Sequence, residues 1–191
     1  MSHTLFSGLD VSFPDDFQDK MKTFSDLLLE WNLTHNLSGA TTEKEVMAQV
    51  FDSVYPLSFL DCFESVMDIG SGAGFPAIPL AAARPNTHFT LVEPTKKRIA
   101  FLNFVAIKLK LKNITLEDKR IEQMAPRHYD LITSKAVMSA SRLYELSRSM
   151  MDESSVMVLY KGRNTDDETA GIPSVETVDA AHSRYLLIRN H

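Results

Sequence analysis

The stretch from Val66 to Pro76 constrains this chain more than any other. A mostly apolar run, Val66-Met67-Asp68-Ile69, leads into Gly70-Ser71-Gly72-Ala73-Gly74 and then Phe75-Pro76. Glycine at alternate positions lets the backbone turn sharply and approach a ligand where a Cβ would clash. Pro76 suits the first turn of a helix, where its missing N–H costs nothing. The segment therefore predicts a buried strand, a tight turn and a helix start. Such a turn lies at the carboxyl end of a strand, where open α/β sheets bind ligands.

Spacing separates two kinds of ligand. The dinucleotide fingerprint is G-x-G-x-x-G, whereas this chain reads D-x-G-x-G-x-G from Asp68 to Gly74. Phe89-Thr90-Leu91-Val92-Glu93 follows, an alternating strand that ends in an acid. An acid about 20 residues after the glycines is where a ribose diol is gripped. The tighter spacing behind Asp68 resembles motif I of class I S-adenosylmethionine-dependent methyltransferases. It makes Asp68, Gly70, Ser71, Gly72, Gly74 and Glu93 candidate cofactor contacts.

A chain of 191 residues fits one compact unit. We expect an N-terminal arm and helical cap over 1–62 and the cofactor-binding domain over 63–191. No apolar run approaches the roughly 20 residues a membrane span needs. Met1-Ser2-His3-Thr4 carries neither the basic nor the apolar part of a secretory signal, so the expectation is a cytoplasmic monomer. Cys62 is the only cysteine, and the six histidines lack ligand spacing, so no metal site is expected.

Net charge is −5, yet it is unevenly spread. Between 96 and 135 ten basic residues face only Glu117, Asp118, Glu122 and Asp130, a local balance of +6 that leaves −11 for the rest. Such asymmetry can mark a face for a phosphate backbone, the alternative being solvated helix surfaces.

Taken in order, residues 1–13 lack periodicity and read as a loose arm. Phe17, Met21, Phe24, Leu27, Leu28 and Trp31 recur at helical spacing. Thr42 with Glu45 three residues on is a capping-box pattern. It opens a second helix running toward Leu60, which Pro56 kinks or splits. Cys62 reads as a buried helix residue. Further helices are expected from Pro76 to Ala83, from Lys96 to Leu109 behind a Thr95 cap, and from Ser141 to Met150. Strands are expected at 66–69, 89–93, 114–116, 129–133, 155–160, 175–180 and 184–188, with a polar, mobile 163–173. Strands alternating with helices predict an α/β, Rossmann-like, mostly parallel doubly wound sheet.

The residues near the ligand end also narrow the reaction. Methylation at a pyrimidine carbon needs a cysteine nucleophile, and Cys62 stands before the first strand. Methylation of an exocyclic amine commonly uses an Asn/Asp-Pro-Pro-aromatic turn after strand four. Here that place holds Ser134-Lys135-Ala136-Val137, and the chain has no Pro-Pro. A guanine N7 needs neither device, because its lone pair is already exposed and positioning suffices.

The segment Asp68 to Leu80 followed by Arg84-Pro85 resembles the bacterial 16S rRNA guanine-N7 methyltransferases, the glucose-inhibited division protein B family. So do Trp31-Asn32 with Asn36-Leu37, Phe51-Asp52-Ser53, Lys97-Arg98 with Phe101-Leu102, Ser134 to Val137, and Lys161-Gly162. The resemblance covers about 24–162. It implies methyl transfer from S-adenosyl-L-methionine to N7 of guanine 527 in the 530 loop of 16S rRNA, in the small ribosomal subunit. Loss of that activity is linked to low-level streptomycin resistance. It further implies cofactor contacts at Gly70, Phe75, Ile121, Glu122 and Lys135. The family usually carries arginine where Lys135 stands; lysine keeps the charge and loses the planar fork.

No general base is named, since N7 has no proton to lose. Lys135 and Lys161 are the positioning candidates, meeting RNA or the cofactor carboxylate, and Lys96, Lys97, Arg98 and Arg120 are candidate phosphate contacts. Two alternatives remain at this stage: a methyltransferase acting on a small molecule or protein, and a non-catalytic nucleotide-binding regulator on the same fold.

Overall fold

The computed structural model describes residue 6 and residues 8–135, 138–162, 169, 171–180 and 183–190. Two helices precede the sheet. Helix α1, Phe17–His35, buries Phe17, Met21, Phe24 and Leu28 along one stripe. It stops where Asn36 turns into the left-handed region, φ 47°. Helix α2, Glu43–Val54, has its capping box formed: Glu45 N–H donates to Thr42 Oγ1, and the Glu45 carboxylate accepts from Thr42 N–H. Pro56 lacks an N–H and crowds the preceding turn. The helix therefore ends at Val54, and Tyr55–Ser58 continue as a 3₁₀ turn rather than running on toward Leu60.

Seven strands form one sheet: β1 Ser65–Ile69, β2 His88–Val92, β3 Ile114–Glu117, β4 Leu131–Lys135, β5 Val156–Lys161, β6 Ser174–Asp179 and β7 Arg184–Arg189. Their order is β3-β2-β1-β4-β5-β7-β6. The first five are parallel, and β7 pairs antiparallel with both β5 and β6. The order reverses between β1 and β4, the place where doubly wound sheets open a ligand crevice. Helices α3 (Ala77–Ala83) and α4 (Lys96–Lys108) cover one face, together with α1 and α2. Helix α5 (Ala140–Ser147) covers the other.

The core follows the strand period of two. Val66, Phe89, Leu91, Leu131 and Val158 face the α1–α4 side. Met67, Ile69, Val92, Ile132 and Met157 face the α5 side. The helical cap and the sheet share one buried cluster, in which Phe24 meets Phe75 and Trp31 meets Phe101.

Several local expectations need correction. Within the expected arm, Phe6 is buried against Phe13, Phe17 and Phe51. Cys62 is exposed in the loop before β1, not buried in a helix. Strand β4 starts two residues later than its apolar run suggests, because Tyr129 N–H already donates to Met150 and the Asp130 carboxylate takes the N–H groups of Glu64 and Ser65. Helix α5 ends at Ser147, and Arg148–Met150 form a 3₁₀ turn. Thr95 makes no side-chain cap for α4. The mobile stretch expected at 163–173 lies mostly outside the described residues, as do Ala136 and Val137.

Candidate functional site

The glycine turn follows directly from β1. Gly70, Gly72 and Gly74 all have positive φ, at 72°, 55° and 96°, a region that costs residues with a Cβ. A Cβ on Gly74 would also stand 2.7 Å from Ile78 Cγ1, so this glycine sets the approach of α3. Gly70 N–H donates to Val92 O at 2.8 Å, and Gly74 N–H to Ser71 O at 2.7 Å. The turn is thereby closed onto the end of β2.

Glu93 is the acid at that end. It is 1% exposed and sits across the turn: Oε2 accepts Gly72 N–H at 3.0 Å and Oε1 accepts Thr95 N–H at 2.9 Å. Thr95 thus contributes through its backbone, and one carboxylate fixes both the glycine turn and the entry to α4. Arg98 Nη1 stands 3.6 Å from Glu93 Oε2. Arg98 therefore lies beside the acid that the sequence singled out, while Lys97 Nζ reaches back to the carbonyl of His35 on the cap at 3.0 Å.

Asp68 lies beneath the turn. Its Oδ1 accepts the Thr133 hydroxyl at 2.6 Å, and its Oδ2 has no partner among the described residues. Burial pushes the Asp68 carboxyl up to about 7, against the hydrogen bonds that favour the charged form. Ser71 is buried, with its hydroxyl on the Asp68 carbonyl at 3.2 Å. On the neighbouring strand Ser134 bonds the Ile69 carbonyl at 2.9 Å, so polar residues at the end of β4 tie it to β1 where the sheet reverses.

Beside the turn lies a cleft of about 100 Å³ lined by Ile69, Gly70, Val92, Pro94, Lys119, Arg120, Ile121, Glu122 and Met138. Ile121 is buried and Glu122 exposed, both in the 3₁₀ turn Ile121–Gln123. Walls of Ile, Val and Pro with a carboxylate at one rim suit a flat heterocycle bearing an amino group. The glycine cradle, the unpaired buried Asp68 oxygen and this cleft together fit an adenosine-type cofactor with a charged amino-acid arm.

The structure brings Asp68, Gly70, Ser71, Gly72, Gly74, Phe75, Glu93, Ile121 and Glu122 to the same end of the sheet. Lys135 joins them at the end of β4: its Nζ is 5.6 Å from the Phe75 ring centroid and pairs with Asp52 Oδ2 at 2.9 Å. Lys161, at the end of β5, points to the Met138 carbonyl at 3.5 Å. Lys96 is exposed at the start of α4, and Arg120 borders the cleft. Among the described residues no cluster of metal-ligating side chains occurs, and no helix is long and apolar enough to cross a membrane.

Two residues went unassigned in the sequence. Asp52, on α2, holds Lys135. Tyr185, on β7, donates to Asp52 Oδ1 at 2.8 Å. Burial and the Asp52 charge hold the Tyr185 hydroxyl well above the usual tyrosine range, so it stays a donor. The only local signal for Asp52 is the run Phe51-Asp52-Ser53, one of the stretches that carry the family resemblance; Tyr185 stands in a strand with nothing to mark it.

Comparison with known proteins places this geometry. The family model described as rRNA small subunit methyltransferase G matches residues 17–188. The relative named ribosomal RNA small subunit methyltransferase G from Wolinella succinogenes is 45% identical over 176 residues, covering 92% of this chain and 91% of its own length. The one from Helicobacter hepaticus is 48% identical over 149 residues, covering 76% of this chain and 80% of that one. Among solved structures, a putative S-adenosyl-L-methionine-dependent methyltransferase from Methanococcus maripaludis superposes with a TM-score of 0.63 at 13% identity, over 88% of this chain and 93% of its own, a likeness of fold. With two thirds of its length and more matched at these identities, the chain belongs to the rRNA small subunit methyltransferase G family.

Proposed function

We propose that this protein transfers a methyl group from S-adenosyl-L-methionine to N7 of a guanine in 16S rRNA, at guanine 527 of the 530 loop. The observation that carries the reading is the cradle itself: three positive-φ glycines closed by the buried Glu93, with a cleft walled by Ile69, Val92, Pro94 and Ile121 alongside. Family membership gives the substrate class. Bound there, S-adenosyl-L-methionine supplies a methyl group on sulfur that an exposed lone pair can take by in-line displacement.

The chain's own residues do the holding. Glu93 takes the ribose hydroxyls, Ile121 and Glu122 flank the adenine, and Glu122 accepts from its amino group. Asp68, Gly70, Ser71, Gly72, Gly74 and Phe75 line the methionine arm, with the unpaired Asp68 oxygen available to its ammonium group. Lys135 and Lys161 stand at the mouth, where the base enters. Lys96, Lys97, Arg98 and Arg120 meet phosphates and make binding depend on salt. The guanine leaves its stack to reach the site, which is easier in a loop than in a duplex. Because N7 carries no proton, catalysis consists of positioning and desolvation. We place the protein in the cytoplasm, where small-subunit rRNA is found, acting as a monomer.

The test uses radiolabelled S-adenosyl-L-methionine and 30S subunits from cells lacking this gene, mapped by borohydride–aniline cleavage at 7-methylguanosine. A single cut in the 530 loop is expected. Label at another base discards the position and keeps the enzyme class. No label with cofactor binding intact returns the small-molecule reading.

A further inference from the structure

The pair of charges at the end of β4 has a chemistry of its own. Lys135 and Asp52 come from residues 83 apart in the chain and meet at 2.9 Å. Neither is fully covered: 25% of the Lys135 side chain and 16% of the Asp52 side chain remain exposed. The lysine lies over Phe75, the residue that ends the glycine turn, so the pair stands beside the proposed methyl-transfer site. The Tyr185 hydroxyl donates to Asp52 Oδ1, and its proton is shared with the Asp52 carbonyl oxygen at 3.1 Å. The carboxylate is therefore oriented from behind, with Oδ2 turned toward the lysine.

An ammonium next to a carboxylate presents a hydrogen-bond donor beside an acceptor. An ammonium has three donors and Asp52 uses one; Oδ2 keeps a free lone pair. Guanine offers the complement on adjacent atoms, with O6 an acceptor and N1–H a donor. Adenine offers the reverse. Guanine N7 lies next to O6 and outside this pair, so a base read in this way leaves N7 open. We propose that Lys135 and Asp52 form the guanine-reading edge of this protein, with the ammonium donating to O6 and the carboxylate accepting N1–H. The proposal rests on the methyl-transfer reading given above.

The same contact strengthens during reaction. As the N7 lone pair forms the new N–C bond and the C–S pair returns to sulfur, the positive charge passes onto the purine. N1–H becomes more acidic, and its bond to the Asp52 carboxylate tightens. An interaction stronger in the transition state than in the ground state raises the rate rather than the affinity. Asp52 therefore acts on kcat more than on KM. No proton has to leave, so the step balances without a base.

The experiment reads methylation of 30S subunits reconstituted with 16S rRNA carrying guanine, inosine or 2-aminopurine at the methylated position. Inosine lacks only the N2 amino group, whereas 2-aminopurine keeps it and loses both O6 and N1–H. The wild-type protein is expected to methylate inosine within about 3-fold of guanine and 2-aminopurine roughly 10- to 100-fold more slowly, the range for losing a paired base contact. Asp52→Asn is expected to lower kcat on guanine and inosine by roughly the same factor, more than it raises KM, and to slow 2-aminopurine less than either. Lys135→Arg keeps the guanine preference and Lys135→Met loses it. Equal wild-type rates on guanine and 2-aminopurine overturn the proposal without any variant. So does an Asp52→Asn protein that slows all three bases alike, since a merely structural ion pair would behave that way. A wild-type protein that leaves guanine unlabelled overturns the methyl-transfer reading instead.

Discussion

Asp68 ought to make this protein less stable as the pH rises from about 4 to about 7. Its carboxyl is fully buried, accepts the Thr133 hydroxyl at one oxygen, has no partner among the described residues at the other, and is pushed from an ordinary 3.8 up to about 7. The folded state thus keeps a proton that the unfolded chain sheds above pH 4. Stability falls wherever the native state binds more protons than the unfolded one. The loss runs from about pH 4 to about pH 7 and is complete above. Three units at about 1.4 kcal/mol each give a cost on the order of 4 kcal/mol for the ionised carboxylate. Asp68→Asn removes the titration and keeps an oxygen for Thr133, while its new N–H groups lack a partner at a cost of about 1–3 kcal/mol. Subtracting the two proteins cancels every other titrating group. The variant's advantage in Tm over wild type should therefore widen by on the order of 10 °C between pH 4.5 and pH 8, at about 2–4 °C per kcal/mol for a chain of this size. Calorimetric or circular-dichroism melts of the cofactor-free proteins at half-unit steps decide it. Parallel Tm profiles for the two proteins would show that Asp68 does not titrate in this window and refute the argument.

Other perturbations follow from single contacts. Gly74→Ala places a Cβ 2.7 Å from Ile78 at φ 96°, and should cost about 2–4 kcal/mol in urea unfolding, combining backbone strain with overpacking. Glu93→Ala frees the N–H groups of Gly72 and Thr95, and is expected to weaken S-adenosyl-L-methionine binding by about 1–3 kcal/mol in isothermal calorimetry. Unchanged affinity would move the ribose contact elsewhere. Asn32→Ala removes the side chain that bonds Leu37 and Ser38 N–H, the Ser38 hydroxyl and the Ala40 carbonyl, and should cost about 2 kcal/mol by chemical denaturation. Lys96→Ala should reduce the slope of log affinity against log salt for 30S RNA by about 1 in filter binding, while binding free cofactor like wild type.

What the sequence made legible was whatever depends on neighbours in the chain. The capping box at Thr42 and Glu45, the break around Pro56 and the glycine turn after Ile69 are each decided within a few residues, and each formed. The same locality explains the errors. Thr95 looked like a cap by residue type, yet its N–H was claimed by Glu93 two residues earlier, and the side chain took no part. Tyr129 belonged to an apolar run, but strand pairing began only after Asp130 had satisfied Glu64 and Ser65, more than sixty residues upstream. Phe6 stands in a segment without periodicity; besides Phe13, the rings that bury it are Phe17 on α1 and Phe51 on α2.

The site divides along the same line. The part we propose to hold the cofactor is local, since Asp68 lies on β1, the glycines follow it directly and Glu93 follows the neighbouring β2. The part we propose to meet the base is assembled from α2, β4 and β7, through contacts of 83 and 133 residues' separation that no spacing rule reaches. This has a physical consequence for how the family can vary. The glycine cradle admits few residue types, because three positions demand positive φ and one has no room for a Cβ. The charge at the end of β4 only has to present a donor toward the mouth, with Asp52 as its counter-charge and Tyr185 fixing that carboxylate. Lysine at 135 meets that requirement so long as Asp52 keeps the ammonium in place.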